Sequence, residues 1–327
     1  MANDQYIYAV TRVHTHELHL LNRQDLEQLI AAKSVAECFQ LLSDKGRGSS
    51  EIPAGDADAL IEREREKTWA FIEELAGGLA PFHVFRYSND FHNLKAAIKL
   101  VYSGLDAGDT ARYFLGYGTV EPARILEAAR KHEFSELPPA MAQAGQKAYE
   151  ALAHTGNGQS CDMIIDYAAL LAIAQAGEES GSEVLRQYSR LTVDVANIKA
   201  AVRSCRMGKQ REFLQRAIVP AGSLNSQRLI AAAEQGLDEI YAYLERTDYS
   251  QTVQVLRKSM ASFESWCDSR LMEHIRPQRY RYSSLEPLAA YILGRENEIA
   301  MVRLILSAKI NQLSEELLRE RLRELYV

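Results

Sequence analysis

"DFHNLKAAIKLVYSG" (90–104) and "DVANIKAAVRSCRMG" (194–208) lie 104 residues apart and align without a gap. Each opens on Asp, carries Asn at its fourth position and Lys two places later, and ends on Gly. A third stretch, "RENEIAMVRLILSAK" (295–309), follows at a spacing of 101. In that register apolar positions coincide as Leu94/Ile198/Ile299, Ala97/Ala201/Val302 and Val101/Cys205/Leu306. These are positions i, i+3 and i+7, one stripe of an α-helix, so each copy can bury the same face. The third copy places Arg295, Glu298 and Ala300 where the others share Asp, Asn and Lys, so there the match is mostly in pattern. "EQLIAAKSVAECFQLLSDKG" (27–46) resembles "QRLIAAAEQGLDEIYAYLER" (227–246), a second echo in the same order. Together they predict a tandem array of three similar helical modules, over 1–115, 116–215 and 216–327. The N-terminal helix is expected to pack in part with the last module.

The rest of the chain agrees with helix. Only 8 Pro and 18 Gly punctuate 327 residues, while Ala, Leu, Glu, Arg and Gln abound. Period-3.6 patterning runs through 4–20, 23–31, 56–76, 90–103, 160–177, 181–204, 250–274, 284–308 and 314–325, among others, with no sustained strand alternation. Breaks are expected at 44–56, 103–109, 116–122, 155–159, 219–223 and 276–284. The closing "LSEELLRERLRELYV" reads as an amphipathic helix with Leu313, Leu317, Leu318, Leu322 and Leu325 on its apolar face. A net charge of −6 argues against a nucleic-acid partner, which would want a strong basic patch. Cys38, Cys161, Cys205 and Cys267 are too scattered for a disulfide framework or a cysteine zinc site. The start lacks a basic region followed by an apolar run, and no window reaches 18 apolar residues.

Catalytic motifs fail one by one. In "HTHELH" (14–19) the histidines sit at i, i+2 and i+5, whereas a zinc protease helix needs H-E-x-x-H. His16 and His19 would be helix neighbours, and ordinary helix positions are the plainer reading of all three. "DKGRGSS" (44–50) lacks the lysine and spacing of a phosphate loop; "GYGTVEP" and "TGNGQ" are turns. Asp162 and Asp166, at i and i+4, would repel each other if exposed, and no partner for catalysis is evident. Ser160–Cys161–Asp162 is no nucleophile elbow. No catalytic residue, cofactor or metal is assigned. The basic–aromatic run "RPQRYRYSS" (276–284) stands out as a candidate contact for anionic lipid headgroups, nucleic acid or an acidic partner surface, the alternative being a solvated loop with Tyr280 and Tyr282 packed against the body.

Three segments carry a family resemblance. The opening, through Tyr8, Ala9, Arg12, Val13, Glu17, Leu20 and Leu21, resembles that of the C subunit of the archaeal and bacterial V-type (A-type) ATPases, whose vacuolar counterpart is the d subunit. The middle matches through Asp194, Asn197, Ile198 and Lys199. The end matches through Pro287, Tyr291, Ile292, Glu296, Glu298, Ile299, Val302, Arg303, Ile305, Lys309 and Arg323. The histidines depart from the simpler polar pattern of the family.

What this resemblance implies is an all-α chain whose three modules surround a pseudo-threefold axis as a funnel with a central cavity. The funnel would sit peripherally on the cytoplasmic face of a membrane proteolipid ring and receive the foot of the central shaft, built by the D and F subunits. It would transmit torque between ATP hydrolysis or synthesis and H⁺ or Na⁺ translocation without catalysing either. Lys95, Lys99, Lys199, Arg203, Arg276, Arg279, Arg281, Glu296, Glu298 and Arg303 are the candidate shaft or ring contacts. For each the bland alternative is a solvated helix face. A helical-repeat adaptor that binds another protein on its concave face stays open as a different class of function.

Overall fold

The computed structural model describes residues 2–48, 52, 53 and 55–327. Ser49, Ser50, Glu51 and Ala54 of the expected break at 44–56 lie outside the described residues. Among the described residues the fold is all-α, without a strand. In chain order the helices are α1 (Ala2–Glu17), α2 (Arg23–Ala31), α3 (Val35–Asp44), α4 (Ala57–Ala76), α5 (His83–Tyr102), α6 (Pro122–Lys131), α7 (Pro139–Thr155) and α8 (Gly158–Glu179). There follow α9 (Glu183–Arg206), α10 (Arg211–Ala217), α11 (Ser226–Gln235), α12 (Leu237–Leu244), α13 (Thr252–Lys258), α14 (Met260–Ile275), α15 (Glu286–Ile310) and α16 (Glu315–Arg319). Short polar side chains start many of them by accepting otherwise unpaired N–H groups. Asn22 and Asp25 form a reciprocal capping box on α2, and Ser34, Asp56, Asn157 and Asn225 cap α3, α4, α8 and α11.

The chain divides into two compact units. One comprises Met1–Leu79, Ser182–Val184 and Gln251–Val327; the other comprises Ala80–Gly181 and Leu185–Ser250. In the first, α15 runs through the core: Ile299, Met301, Val302, Ile305 and Leu306 bury against Leu21, Leu26, Leu29, Ile30, Leu60 and Ile61. The N-terminal segment therefore packs with α15. In the second, Phe91, Leu94, Ala97 and Ile98 of α5 pack with Ile125, Met141, Ala148, Cys161 and Ile165.

Buried polar groups fix the repeat more sharply than the apolar stripe does. The Asp90 carboxylate accepts from the N–H of Val120 at 3.1 Å, and Asp194 accepts from the N–H of Leu224 at 3.1 Å. Asn93 clasps Leu115 through N–H and C=O, as Asn197 clasps Val219. In α15 the equivalent acceptor is Glu298, which takes the N–H of Leu21 at 2.7 Å. Val120, Leu224 and Leu21 each stand just before the cap of the next helix, α6, α11 and α2. The helix ends agree. Leu105 donates to Leu100, Lys209 to Ser204 and Leu313 to Ala308, each with a left-handed residue before the donor: Gly104, Gly208 and Gln312.

Both features put the third copy 104 residues after the second, at Glu298 rather than Arg295. The spacing of 101 is thus corrected by three residues. Such a slip is close to a turn of about 3.6 residues, so an apolar stripe nearly survives it. In the corrected register Asp90/Asp194/Glu298 share a position, as do Lys95/Lys199/Arg303.

Other differences are local. The helix of the first copy starts at His83, seven residues before the expected 90. The pattern at 250–274 is two helices parted at Ser259, whose extended backbone and hydroxyl cap α14. α1 stops at Glu17, leaving His19 outside it. Of the expected 314–325 helix only Glu315–Arg319 forms. Beyond it, side chains of the body claim backbone carbonyls: Ser265 donates to Leu322, Asn297 to Glu324 and Arg276 to Leu325. Leu318 and Leu325 are buried, but Leu313 and Leu317 are about half exposed, so no single apolar face exists.

Candidate functional site

Three candidate cations on the repeated helices, Lys95, Lys99 and Arg303, meet carboxylates of neighbouring helices. Lys95 of α5 lies 2.5 Å from Asp166 of α8, and Lys99 lies 2.6 Å from Asp162. The two aspartates that would repel one another are each matched by a lysine one turn apart on the facing helix. Arg303 of α15, equivalent to Lys95, reaches Asp58 of α4 at 2.9 Å. Lys95, Lys199 and Arg203 line one cavity of about 670 Å³, in which Asp162 and Asp166 also take part. It is walled by α5, α8, α9 and α10. Arg303 lines a separate groove in the other unit, with Arg321 and Arg323.

Glu298 and Glu296 behave differently. Glu296 is half-buried and pairs with Arg65 of α4 at 3.2 Å. Glu298 is 3% exposed, too buried for a partner to touch it. It pairs with Arg295 and with Arg47, the latter at 2.8 Å, besides holding Leu21. Arg295 is equally buried and donates to Glu64 of α4 at 2.8 Å and to Thr68. Lys67, the N–H of Gly48 and, at 3.6 Å, Arg47 also meet the Glu64 carboxylate. Burial alone would raise the Glu64 acid, but hydrogen bonds from Lys67, Gly48 and Arg295 more than offset it, and its pKa falls. Burial lowers Arg47, whereas Glu298, Tyr291 and Glu64 outweigh burial at Arg295 and raise it. Charge within this cluster is matched by charge, the condition for ionised groups to survive such burial.

The basic–aromatic run is partly tied down. Arg276 pairs with Glu324 at 3.4 Å, and Arg279 with the buried Glu17 at 3.2 Å. Arg281 is exposed, as are Tyr280 and Tyr282. The Tyr326 hydroxyl donates to Glu17 at 2.8 Å, and burial followed by the Glu17 charge raises its pKa. Glu17 is therefore a brace between α1 and the C-terminal segment.

The histidines separate in the same region. His14 Nε2 is 2.7 Å from the Arg279 carbonyl, which can only accept, so that nitrogen carries the hydrogen. His16 stacks on Phe71 of α4 at 3.9 Å. Its pKa is lowered by burial first, then by Arg12, His19 and Arg295. Among the described residues no three His, Cys, Asp or Glu side chains gather as a metal site, and no helix is long and apolar enough to cross a membrane.

Arg47, Glu64 and the clamping role of Asp90 and Asp194 escape sequence reasoning. The shared Asp-x-x-Asn was their one visible signal, because a buried carboxylate repeated at a fixed spacing needs a repeated donor.

Comparison with known proteins covers nearly all of this framework. The family model described as ATP synthase (C/AC39) subunit matches residues 9–321. The chain is 25% identical to the C subunit of the V-type sodium ATPase of Enterococcus hirae, over 95% of both chains. It is 22% identical to the C subunit of the A-type ATP synthase of Methanocaldococcus jannaschii, over 96% of this chain and 85% of that one. The corresponding A-type ATP synthase protein of Methanosarcina acetivorans is similar at 22%, over 97% and 92%. A match that spans the repeated helices and the N-terminal segment that closes the third of them identifies the chain as a member of the ATP synthase (C/AC39) subunit family.

Proposed function

We propose that this protein is the central-stalk coupling element of a rotary V-type or A-type ATPase. Its three modules, 1–115, 116–215 and 216–327, would close into a pseudo-threefold funnel, with the N-terminal segment completing the last. The funnel would grip the shaft of D and F subunits and rest peripherally on the cytoplasmic side of the proteolipid ring. The family match over 9–321 carries this reading. It is supported by a helix-and-clamp unit that occurs three times with the same polar register. A coupling element must resist shear, and close-packed helices braced by buried ion pairs transmit strain with little give. The chain itself would neither hydrolyse ATP nor carry ions. Lys95, Lys99, Lys199, Arg203, Arg281 and Arg303 are the cations of this framework that a partner could reach; Arg276 and Arg279 would brace their loop.

The test is isolation of the ATPase complex through a tag on this chain. The shaft proteins and the proteolipid ring are expected to come with it, and its deletion should leave ATP hydrolysis uncoupled from ion transport. A motor that stays intact and coupled without this polypeptide would overturn the proposal.

A further inference from the structure

The third helix-and-clamp unit differs from the other two in how its chain is joined. The carboxylates of Asp90 and Asp194 take an N–H 30 residues further along a continuous chain, whereas Glu298 takes that of Leu21 across 277 residues. In an unfolded chain the chance that two groups meet falls as about the three-halves power of the number of residues between them. On that scaling the third clamp meets its donor roughly thirtyfold less often than the first two, so it closes last. By microscopic reversibility, the contact that closes last under given conditions is the first to open under them, as one cooperative step among several.

The joint is built from charge as well as from apolar surface. Glu64, Arg295 and Glu298 are buried in it, and ion pairs so placed add little net stability, because water held each charge well before folding. Around them stand the more exposed pairs Glu27–Arg319 at 2.7 Å, Asp58–Arg303 at 2.9 Å and Arg65–Glu296 at 3.2 Å, of the kind worth least. By contrast, α5 to α8 close on an apolar core within one continuous stretch, Ala80–Gly181. At its other end the N-terminal segment is tethered by Gly77 and Gly78. Both take left-handed backbone, φ 68° and 141°, and a Cβ on Gly78 would meet no atom within 4 Å. Two such glycines can absorb a large change in φ and ψ. The first stretch of the compact unit ends beside them, at Leu79.

We infer that the N-terminal segment, α1 to α4, is a latch: it closes the third module last and releases from α15 first, in a single step bounded at Gly77–Gly78, while α5 to α8 stay folded. The latch follows from the contacts of this unit alone. The coupling-element reading, on which only this use rests, makes it an entrance: the shaft is taken in while module three is open, and closure then holds it.

Hydrogen exchange of the full-length chain, read by mass spectrometry of peptic fragments at rising urea below the unfolding midpoint, tests this. Amides of α2 to α4 are expected to lose protection together, at least about tenfold faster than those of α5 to α8, with the boundary between Ala76 and His83. One shared urea dependence for both sets, earlier loss in α5 to α8, or a boundary inside α4 overturns the inference. A lock gives a second readout. In D58C/R303C, with C205S to remove the one native thiol that is not buried, a short bis-maleimide joins two exposed positions across the joint. The same variant treated with N-ethylmaleimide is the unlocked control. Locking should slow exchange in α2 to α4 at least about tenfold and leave α5 to α8 unchanged; equal exchange in both forms overturns the latch. Shaft subunits are then added to each form. Uptake by the unlocked form alone supports the entrance, and equal uptake by both overturns that use. If even the wild-type chain takes up no shaft, the coupling-element reading fails alone, and the exchange result still decides the latch.

Discussion

The carboxylate of Glu298 accepts the backbone N–H of Leu21 at 2.7 Å, joining positions 277 residues apart. With Arg47 and Arg295 on the same carboxylate, this contact ties the two ends of the chain into one core. Removing the acceptor leaves the Leu21 N–H unsatisfied and leaves Arg47 and Arg295 with Glu64 as their shared carboxylate.

Glu298→Ala is therefore expected to cost about 3–5 kcal/mol, as loss of one member of a buried ion cluster does. Arg303→Ala, which breaks the exposed pair with Asp58, should cost no more than about 1 kcal/mol. Urea titration of the two variants checks the contrast through the midpoint at unchanged slope.

The clamps of the first two copies should respond unequally to neutralisation. Asp194 accepts from the N–H and hydroxyl of Ser223, the N–H of Leu224 and the Tyr249 hydroxyl. An amide there would turn a donor toward donors, and Asp194→Asn should cost about 1–3 kcal/mol. Asp90 accepts from the N–H of Val120 and from the hydroxyl and N–H of Thr119. Burial also raises the Asp90 acid above its ordinary 3.8, so ionisation works against the fold as pH rises past that value. Asp90→Asn should cost less than Asp194→Asn at pH 7, and should gain on the wild type between acid and neutral pH, measured by thermal melting.

Acid should open the unit built from the chain ends. Glu64 and Asp25 both have depressed acids in the fold: burial opposes this, but Lys67, Gly48 and Arg295 prevail at Glu64, and Asn22 and Lys45 at Asp25. A depressed carboxylate stabilises the fold above its unfolded value, 4.5 for Glu64 and 3.8 for Asp25, and that contribution is lost as pH falls through the folded one. Both tryptophans, Trp69 and Trp266, lie in this unit. Their emission should shift toward that of exposed tryptophan as pH falls below about 4.5, and Lys67→Met should move the transition to higher pH.

His16 gives a separate, milder dependence. Burial against Phe71 first, then the nearby Arg12, His19 and Arg295, favour its neutral form, so its contribution is present above 6.5 and is lost as pH falls through the lower folded value. His16→Phe keeps a ring on Phe71 and removes the titration. The melting temperature of the wild type should fall relative to this variant from pH 7 to pH 5.

The corrected register predicts one stabilising change. Gly104 and Gly208 hold the left-handed position at the ends of their helices, whereas the third copy holds Gln312 at φ 52°. A side chain there meets the following carbonyl, so Gln312→Gly should stabilise by about 1 kcal/mol, visible as a raised melting temperature.

Much of this was legible in the residues. The helices, most of their boundaries, and the first two copies followed from period-3.6 patterning, the Gly- and Pro-bearing breaks and the repeated Asp-x-x-Asn, because those signals act within a turn or two of chain. The pairing of Lys95 and Lys99 with Asp166 and Asp162 was not, since residues 71 and 63 positions apart must first be set side by side. Nor was the short α16: the tail gives up helical bonds to Ser265, Asn297 and Arg276, donors that only the folded body brings within reach.

The sequence by itself determined an all-helical chain with a unit that recurs. Tertiary structure decided where the third copy begins, what completes it and which charges are buried. The reason is physical: an apolar stripe tolerates a slip of nearly one helical turn, but a buried carboxylate tolerates none. Its donor, Leu21, comes from the far end of the chain.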